Sequence, residues 1–494
     1  MRAPWGRKRL ELTRYCIDSG RETLVSRVLA TEADVLALSP DAASSKAAKG
    51  LQSLSKWPST GSNDAVVWGE CQGSGSKPYQ TQVDLNGPAF KCSCPSRKFP
   101  CKHGLALMLL RAGGQVPEGG EPPEWVRHWL GGRQQKAEQK EAKAAAIAAA
   151  PVADHEALAR QQARREDKRW DKVSGGIREL SLWMQDMVRT GLANQAGDSQ
   201  ARQHWNTMAA RMVDAQATGM AARIREAWEL VGSHPTWPRD LLVQLGHWQL
   251  LVDAVQRRDS LSPEVKADVM AALGWPMDKA EVQARGETIR DDWRVLGQRL
   301  IEREGRLLER RVWLQGLHTG RTALVLDYAQ GGRGFETAWV SGGAYRTALS
   351  FYPGRASLRA VAVNGVEALD HCDAAALTLK ALGEPLQQLG ERIAANALQP
   401  VQPLWCANAR LLYAAGQWMV GWPAGHGQPA PVPAVIADDE AWRLLALSGG
   451  TPLALFGEWE CGPQLGRWRL LSAWQPAAHG QDLSPLWQSP GEMR

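Results

Sequence analysis

The sequence predicts an α+β chain of several domains: a small ββα unit near the front, an all-helical middle and an antiparallel β-rich end. Three observations predict it. Three cysteines and a histidine crowd into twelve residues within FKCSCPSRKFPCKHGLALMLL, from Phe90 to Leu110. Apolar residues recur at helical spacing from about residue 173. From Arg311 the apolar period falls to two. With 494 residues, 44% of them hydrophobic, the chain can bury more than one core.

The front unit follows from its local chemistry. DAVVWGEC and QTQVDL read as strands, and the glycines of QGSGSKP suit the turn between them. Residues two apart on an extended chain face one side, so Cys92 and Cys94 point together. Pro95 and Ser96 then turn the chain. Pro100 precedes a short helix, CKHGLALMLLRA, that Gly113 and Gly114 end. Cys101 and His103 therefore fall around its first turn. The pattern Cys92-x-Cys94-x6-Cys101-x-His103 supplies the Cys3His set of a closed tetrahedral zinc site. The helix N-terminus favours the thiolates electrostatically. One structural Zn²⁺, stapling a small core, is the expected cofactor. Cys71 is the nearby alternative ligand. A Cys92–Cys94 disulfide would close a small, strained ring. The isolated Cys16, Cys372, Cys406 and Cys461 are expected to be buried apolar residues.

The net charge of +6 is concentrated in the front third. No acidic residue lies between Asp84 and Glu118, while Lys91, Arg97, Lys98, Lys102 and Arg111 all do. Such a patch suits a phosphate backbone, and it equally offsets the net negative charge of a Cys3His zinc site. Lys91, Arg97, Lys98 and Lys102 are the candidate nucleic-acid contacts, to DNA or RNA.

C-x-C-x6-C-x-H, with strands before it and a helix after, resembles the SWIM zinc finger. The resemblance covers about residues 60–115, and the family's four ligands map onto Cys92, Cys94, Cys101 and His103. It implies zinc binding and a DNA or protein partner. The chain also looks like the bacterial SWIM family proteins, whose genes often neighbour MoxR-type ATPases and von Willebrand A-type proteins. A protein partner in such an ATPase system is what that resemblance implies.

The remaining elements fall in order. SPDAASSKAAKGLQSL reads as a helix capped by Ser39, with Pro40 at its first position. PPEWVRHWLGG adds a short amphipathic helix, and residues 1–131 form the zinc domain. Residues 132–172, rich in Ala, Gln and charge, read as an exposed, partly helical linker broken at Pro151. Residues 173–310 read as a helical domain. Its stripes include Ile177, Leu180, Met184, Met187 and Val188, and its last helix is KAEVQARGETIRDDWRVLGQRLIEREGRLLE. Residues 311–494 read as a β-rich domain of meandering strands, with a helical insertion at about 374–397 and no parallel βαβ units.

Catalytic patterns are missing from the sequence. GSGSKP lacks P-loop spacing, DHEALAR around His155 is not H-E-x-x-H, and no G-x-S-x-G elbow occurs. His318, His371, His426 and His479 have no ligand-type neighbours at metal spacing. A non-enzymatic adaptor is therefore expected. The alternatives are a protein-binding scaffold in an ATPase-chaperone system and, third, a hydrolase with an unrecognised site. No apolar run spans a bilayer and the start lacks a signal-peptide core, so a soluble, cytoplasmic protein is expected. The 23 Trp, against 5 Phe and 6 Tyr, are expected in cores and interfaces.

Overall fold

In a computed structural model, the structure describes residues 31–489 except 40–41, 74, 76, 86–88, 97, 149–151, 197–199, 304–306, 331–334, 336, 338, 364, 370–382, 423–429, 461–465 and 476–484. The front unit opens with two short helices, α1 (Glu32–Ala37) and α2 (Ala42–Lys49). The expected first position of α2, Pro40, lies outside the described residues. An antiparallel sheet follows, ordered β1 (Ser59–Ser62), β2 (Val66–Cys71), β3 (Tyr79–Asp84) and β4 (Ala89–Cys92). Helix α3 (Lys102–Ala112) is sandwiched between this sheet and α1 and α2, so Leu105 through Leu110 are all buried. Gly104 is required there, because a Cβ would sit 2.9 Å from the Phe90 ring.

The middle is helical over a different span from the expected one. Helix α4 (Glu124–Ala148) runs on past Gly131 and Gly132, and α5 (Val152–Thr190) is 39 residues long. The expected linker, 132–172, is thus helical on both sides of residues 149–151. Its end already belongs to the bundle: Trp170 is buried, with the charges of Arg258 and Lys266 over its ring at 5.8 and 5.6 Å. Helices α6 (Ala201–Asp214), α7 (Thr218–Trp228), α8 (Trp237–Gln256) and α9 (Pro263–Ala272) complete it. Ile177, Leu180, Met184, Met187, Trp205 and Trp248 share one core, whereas Val188 faces solvent. Ser262 caps α9 as expected, accepting from Val265 N at 3.4 Å.

The expected last helix is short. α10 (Lys279–Arg285) stops at Gly286, where a Cβ would collide with the Phe351 carbonyl, and β5 (Thr288–Arg303) begins. The helical expectation to residue 310 is therefore corrected: Trp293 and Val295 point into a β core, and Leu296 points out against another domain. The charged residues between them imitate a polar helix face, and the alternation beneath decides for strand.

From β5 onward the chain builds one barrel twice. The first uses β5, β6 (Leu307–Gly316), β7 (Thr322–Gln330), β8 (Ala344–Phe351) and β9 (Arg359–Ala362), with β10 (Glu367–Leu369) beside β8. After α11 (Gly383–Ala395), the second uses β11 (Val401–Ala414), β12 (Gln417–Gly421), β13 (Val432–Val435), β14 (Leu453–Glu460) and β15 (Arg467–Trp474), with β16 (Trp487–Gln488) at the edge. In each, strand one pairs with two and four, two with three, four with five, and three runs parallel to five. Each long first strand carries a register shift, at Val295/Gly297 and at Cys406/Ala409, and so turns from one partner strand to the other. Closed order 1-2-3-5-4-1 is the connectivity of the OB-type barrel. Helix α12 (Asp438–Ser448) fills the connection between strands three and four of the second barrel. In the corresponding connection of the first barrel the described residues Phe335, Thr337, Trp339 and Val340 lie outside any strand. That segment places Trp339 in the barrel core and Val340 in the zinc-domain core, and Phe335 edge-on to Phe99 at 6.1 Å.

Leu296, Trp313 and Leu324 of the first barrel pack on Phe456, Leu471 and Trp474 of the second. Inside this contact Glu458 is 0% exposed. Its carboxylate accepts from Arg299 at 3.1 Å, Arg311 at 3.3 Å and the Trp313 indole at 2.9 Å. A buried charge held this way is costly to orphan. Glu458→Ala is expected to lower unfolding stability by about 3–5 kcal/mol in chemical denaturation. A loss below about 1 kcal/mol, the scale of an exposed pair, would contradict this role.

Candidate metal centre

The centre joins the end of an edge strand to the start of a helix. Cys92 closes β4 and pairs with Thr81 of β3. Cys94 follows two residues on. Cys101 is the N-cap of α3, its sulfur accepting from Gly104 N at 3.5 Å, and His103 lies in the first turn. The four ligand atoms of Cys92, Cys94, Cys101 and His103 all lie within 4.8 Å of one another, and Cys92 Sγ is 3.8 Å from His103 Nδ1. Ligands about 2.0–2.3 Å from one ion in a tetrahedron stand roughly 3.5–3.8 Å apart. The set therefore fits zinc by donor type and by spacing. Cys71, buried on β2, is outside this cluster.

The surroundings serve the sulfurs. The Thr81 hydroxyl is 3.1 Å from Cys92 Sγ and donates to it once it is a thiolate. The Tyr79 ring packs on His103 with centroids 5.0 Å apart. Three sulfurs this close cannot all ionise without a cation. Hydrogen bonding from Cys101 and Cys92 pulls the Cys94 thiol far down, and the hydrogen bonds to Cys92 and Cys94, with burial, drive Cys101 far up. A divalent ion resolves that conflict by taking all three as thiolates and releasing their protons. Four protein ligands fill the tetrahedron and leave no position for a substrate.

The model of the SWIM zinc finger matches residues 79–112. The chain carries a SWIM zinc finger. The SWIM-associated four-helix bundle domain matches residues 168–273, the span from just before Trp170 through α9. No curated protein and no solved structure matches the chain significantly.

The basic residues of the SWIM finger lie around the metal ligands. Lys91, Lys98 and Lys102 are exposed, while Arg97 lies outside the described residues. Lys91 alternates with Cys92 along β4, and Lys102 sits between Cys101 and His103, so ligands face inward and cations outward. Away from the finger, Cys406 is buried, takes the Trp422 indole N–H at 3.2 Å, and has its thiol pushed up to about 11 by burial. Cys16, Cys372, Cys461, His371, His426 and His479 lie outside the described residues. His318 gains a partner invisible in sequence: its Nδ1 is 2.8 Å from Asp291. That carboxylate also accepts from His318 N at 3.1 Å and from Thr319 N and Oγ1 at 2.9 and 2.6 Å, which clamps the β6–β7 turn.

Replacing Cys101 by Ser or His103 by Ala is expected to release the metal and unfold the SWIM finger, since structural zinc contributes about 10–16 kcal/mol in comparable small units. Cys71→Ala is expected to keep a full equivalent of zinc. Zinc content after gel filtration, read with amide exchange across residues 79–112, checks both. Full metal retention in either ligand variant would overturn the assignment.

Proposed function

We propose that this SWIM-domain protein is a non-enzymatic adaptor whose finger docks on the phosphate backbone of a nucleic acid. The observation that carries the reading is the set of exposed lysines around a closed metal site. Among the described residues Lys91 and Lys102 make no hydrogen bond or ion pair, so their charge is available to a partner. They sit on rigid elements, the end of β4 and the start of α3, which keeps the entropy cost of presenting them low. The filled zinc shell argues for scaffolding over chemistry. The two OB-type barrels add support by analogy, because that architecture often carries oligonucleotides, although a fold alone does not assign a function.

A second reading, a protein-binding scaffold in an ATPase-chaperone system, is favoured by one surface. Trp442 and Tyr413 of the second barrel are 57% and 55% exposed and pack edge-on and tilted against Trp418, centroids 5.0 and 4.9 Å away. Asp438 and Asp439, in the first turn of α12, border this patch. Such a surface suits a protein contact better than a phosphate backbone. In the adaptor reading it is the other arm. Among the described residues no helix is long and apolar enough to cross a membrane.

Binding of the zinc-loaded chain to single- and double-stranded DNA and RNA, measured from low to physiological salt, separates these readings. Nucleic-acid docking predicts affinity that falls steeply with salt. It also predicts a Lys91→Ala, Lys98→Ala, Lys102→Ala variant whose log K against log salt slope is shallower by about 3, one per lost phosphate contact. Absence of binding near physiological salt by a fully zinc-loaded protein would remove the nucleic-acid role and leave the scaffold.

A further inference from the structure

A cavity of about 490 Å³ opens where the helical bundle meets both barrels. That volume is in the range of small-molecule sites. Its walls mix apolar residues, among them Leu230, Leu398 and Val401, with a dense set of charges. Most of those charges cancel. Arg299 pairs with Glu458 and Glu460, Arg303 with Glu226 and Glu309, Arg311 with Glu309 and Glu458, and Arg469 with Glu460. Four arginines thus meet four glutamates.

Arg223 is left over. Its guanidinium donates to the Leu398 carbonyl at 3.0 Å and, among the described residues, has no carboxylate within ion-pair distance; Glu226, whose charge acts on it through space, is engaged by Arg303 at 3.1 Å. Burial lowers the Arg223 pKa, and burial together with Arg223 lowers that of His247 on the same wall. Trp248 packs into the same wall and is 1% exposed, so its ring adds to the apolar lining. An uncompensated cation is unfavourable inside a protein, and an anionic oxygen in the cavity answers it.

We propose that this junction cavity is a binding site for a small organic anion, its phosphoryl or carboxylate head set between Arg223 and His247, and its body against the apolar wall. Because the bundle and both barrels contribute to the wall, an occupant favours one arrangement of the three and stabilises it by mass action. The site does not depend on the SWIM finger or on nucleic-acid binding.

The test titrates full-length, zinc-loaded protein with phenyl phosphate and with benzoate by calorimetry and thermal shift. Inorganic phosphate and benzyl alcohol serve as head-only and body-only controls. The expected result is saturable binding of one equivalent of at least one of the two aromatic anions. Inorganic phosphate should bind more weakly and benzyl alcohol not at all, and the stronger anion identifies the head group. Arg223→Met should weaken binding at least ten-fold while leaving the unliganded melting temperature unchanged or higher, since it removes an uncompensated charge. If Arg223→Met fails to fold, His247→Gln supplies the same readout, with an expected loss of several-fold. No binding of either aromatic anion up to millimolar concentration would overturn the proposal, as would undiminished binding by the Arg223 variant or, where that fails to fold, by His247→Gln.

Discussion

The finger depends on one constraint: the end of an edge strand and the beginning of a helix must be held at one point. Neither segment alone fixes its position. Strand β4 has four residues and lies at the rim of its sheet, and α3 starts at Lys102 after an irregular turn. Four ligands converging within 4.8 Å supply the missing restraint. The same restraint sets the outer surface, because Lys91 and Lys102 are chain neighbours of ligands. Turning sulfur inward at Cys92 turns Lys91 outward, and placing Cys101 and His103 on the metal leaves Lys102 pointing away. Metal and surface are therefore one device, and losing the ion removes both.

Elsewhere the chain uses buried charge for a similar purpose. Arg299, Arg303 and Arg311 of the first barrel and Arg469 of the second answer glutamates from the bundle and from both barrels. Apolar contact between Trp313, Phe456 and Trp474 is non-directional, whereas the Glu458 carboxylate, with three donors, accepts only one alignment. The Trp residues carry much of this packing. Trp170, Trp205, Trp248, Trp293, Trp313, Trp339, Trp468 and Trp474 are all fully buried, and several find acceptors for their N–H groups. Trp248, Trp339 and Trp468 depart from that habit.

What the sequence revealed was local. The ligand spacing, the hairpin before it and the helix after it all lie within a few turns of chain, so chemistry and period suffice to place them. Ser262 before Pro263 announces its cap for the same reason. What escaped was set by distant partners. Nothing near Leu324 or Ala434 tells that each strand runs parallel to one far along the chain and closes a barrel. Residues 288–303 carry helix-like charge spacing, and the decision for strand is made by β8 and by the second barrel. The 132–172 segment has helix propensity but lacks an apolar stripe over most of its length, so the docking of its end into the bundle was hidden until Trp170 met α8 and α9. The Asp291–His318 pair and the leftover charge on Arg223 belong to the same class, visible only once separate elements meet.

Zinc K-edge absorption spectroscopy on the native full-length protein, with metal content measured in parallel, tests the account most directly. It predicts one zinc per chain, bound by three sulfurs at about 2.3 Å and one nitrogen at about 2.0–2.1 Å. An oxygen in the first shell, two sulfurs in place of three, or zinc well below one equivalent would contradict it.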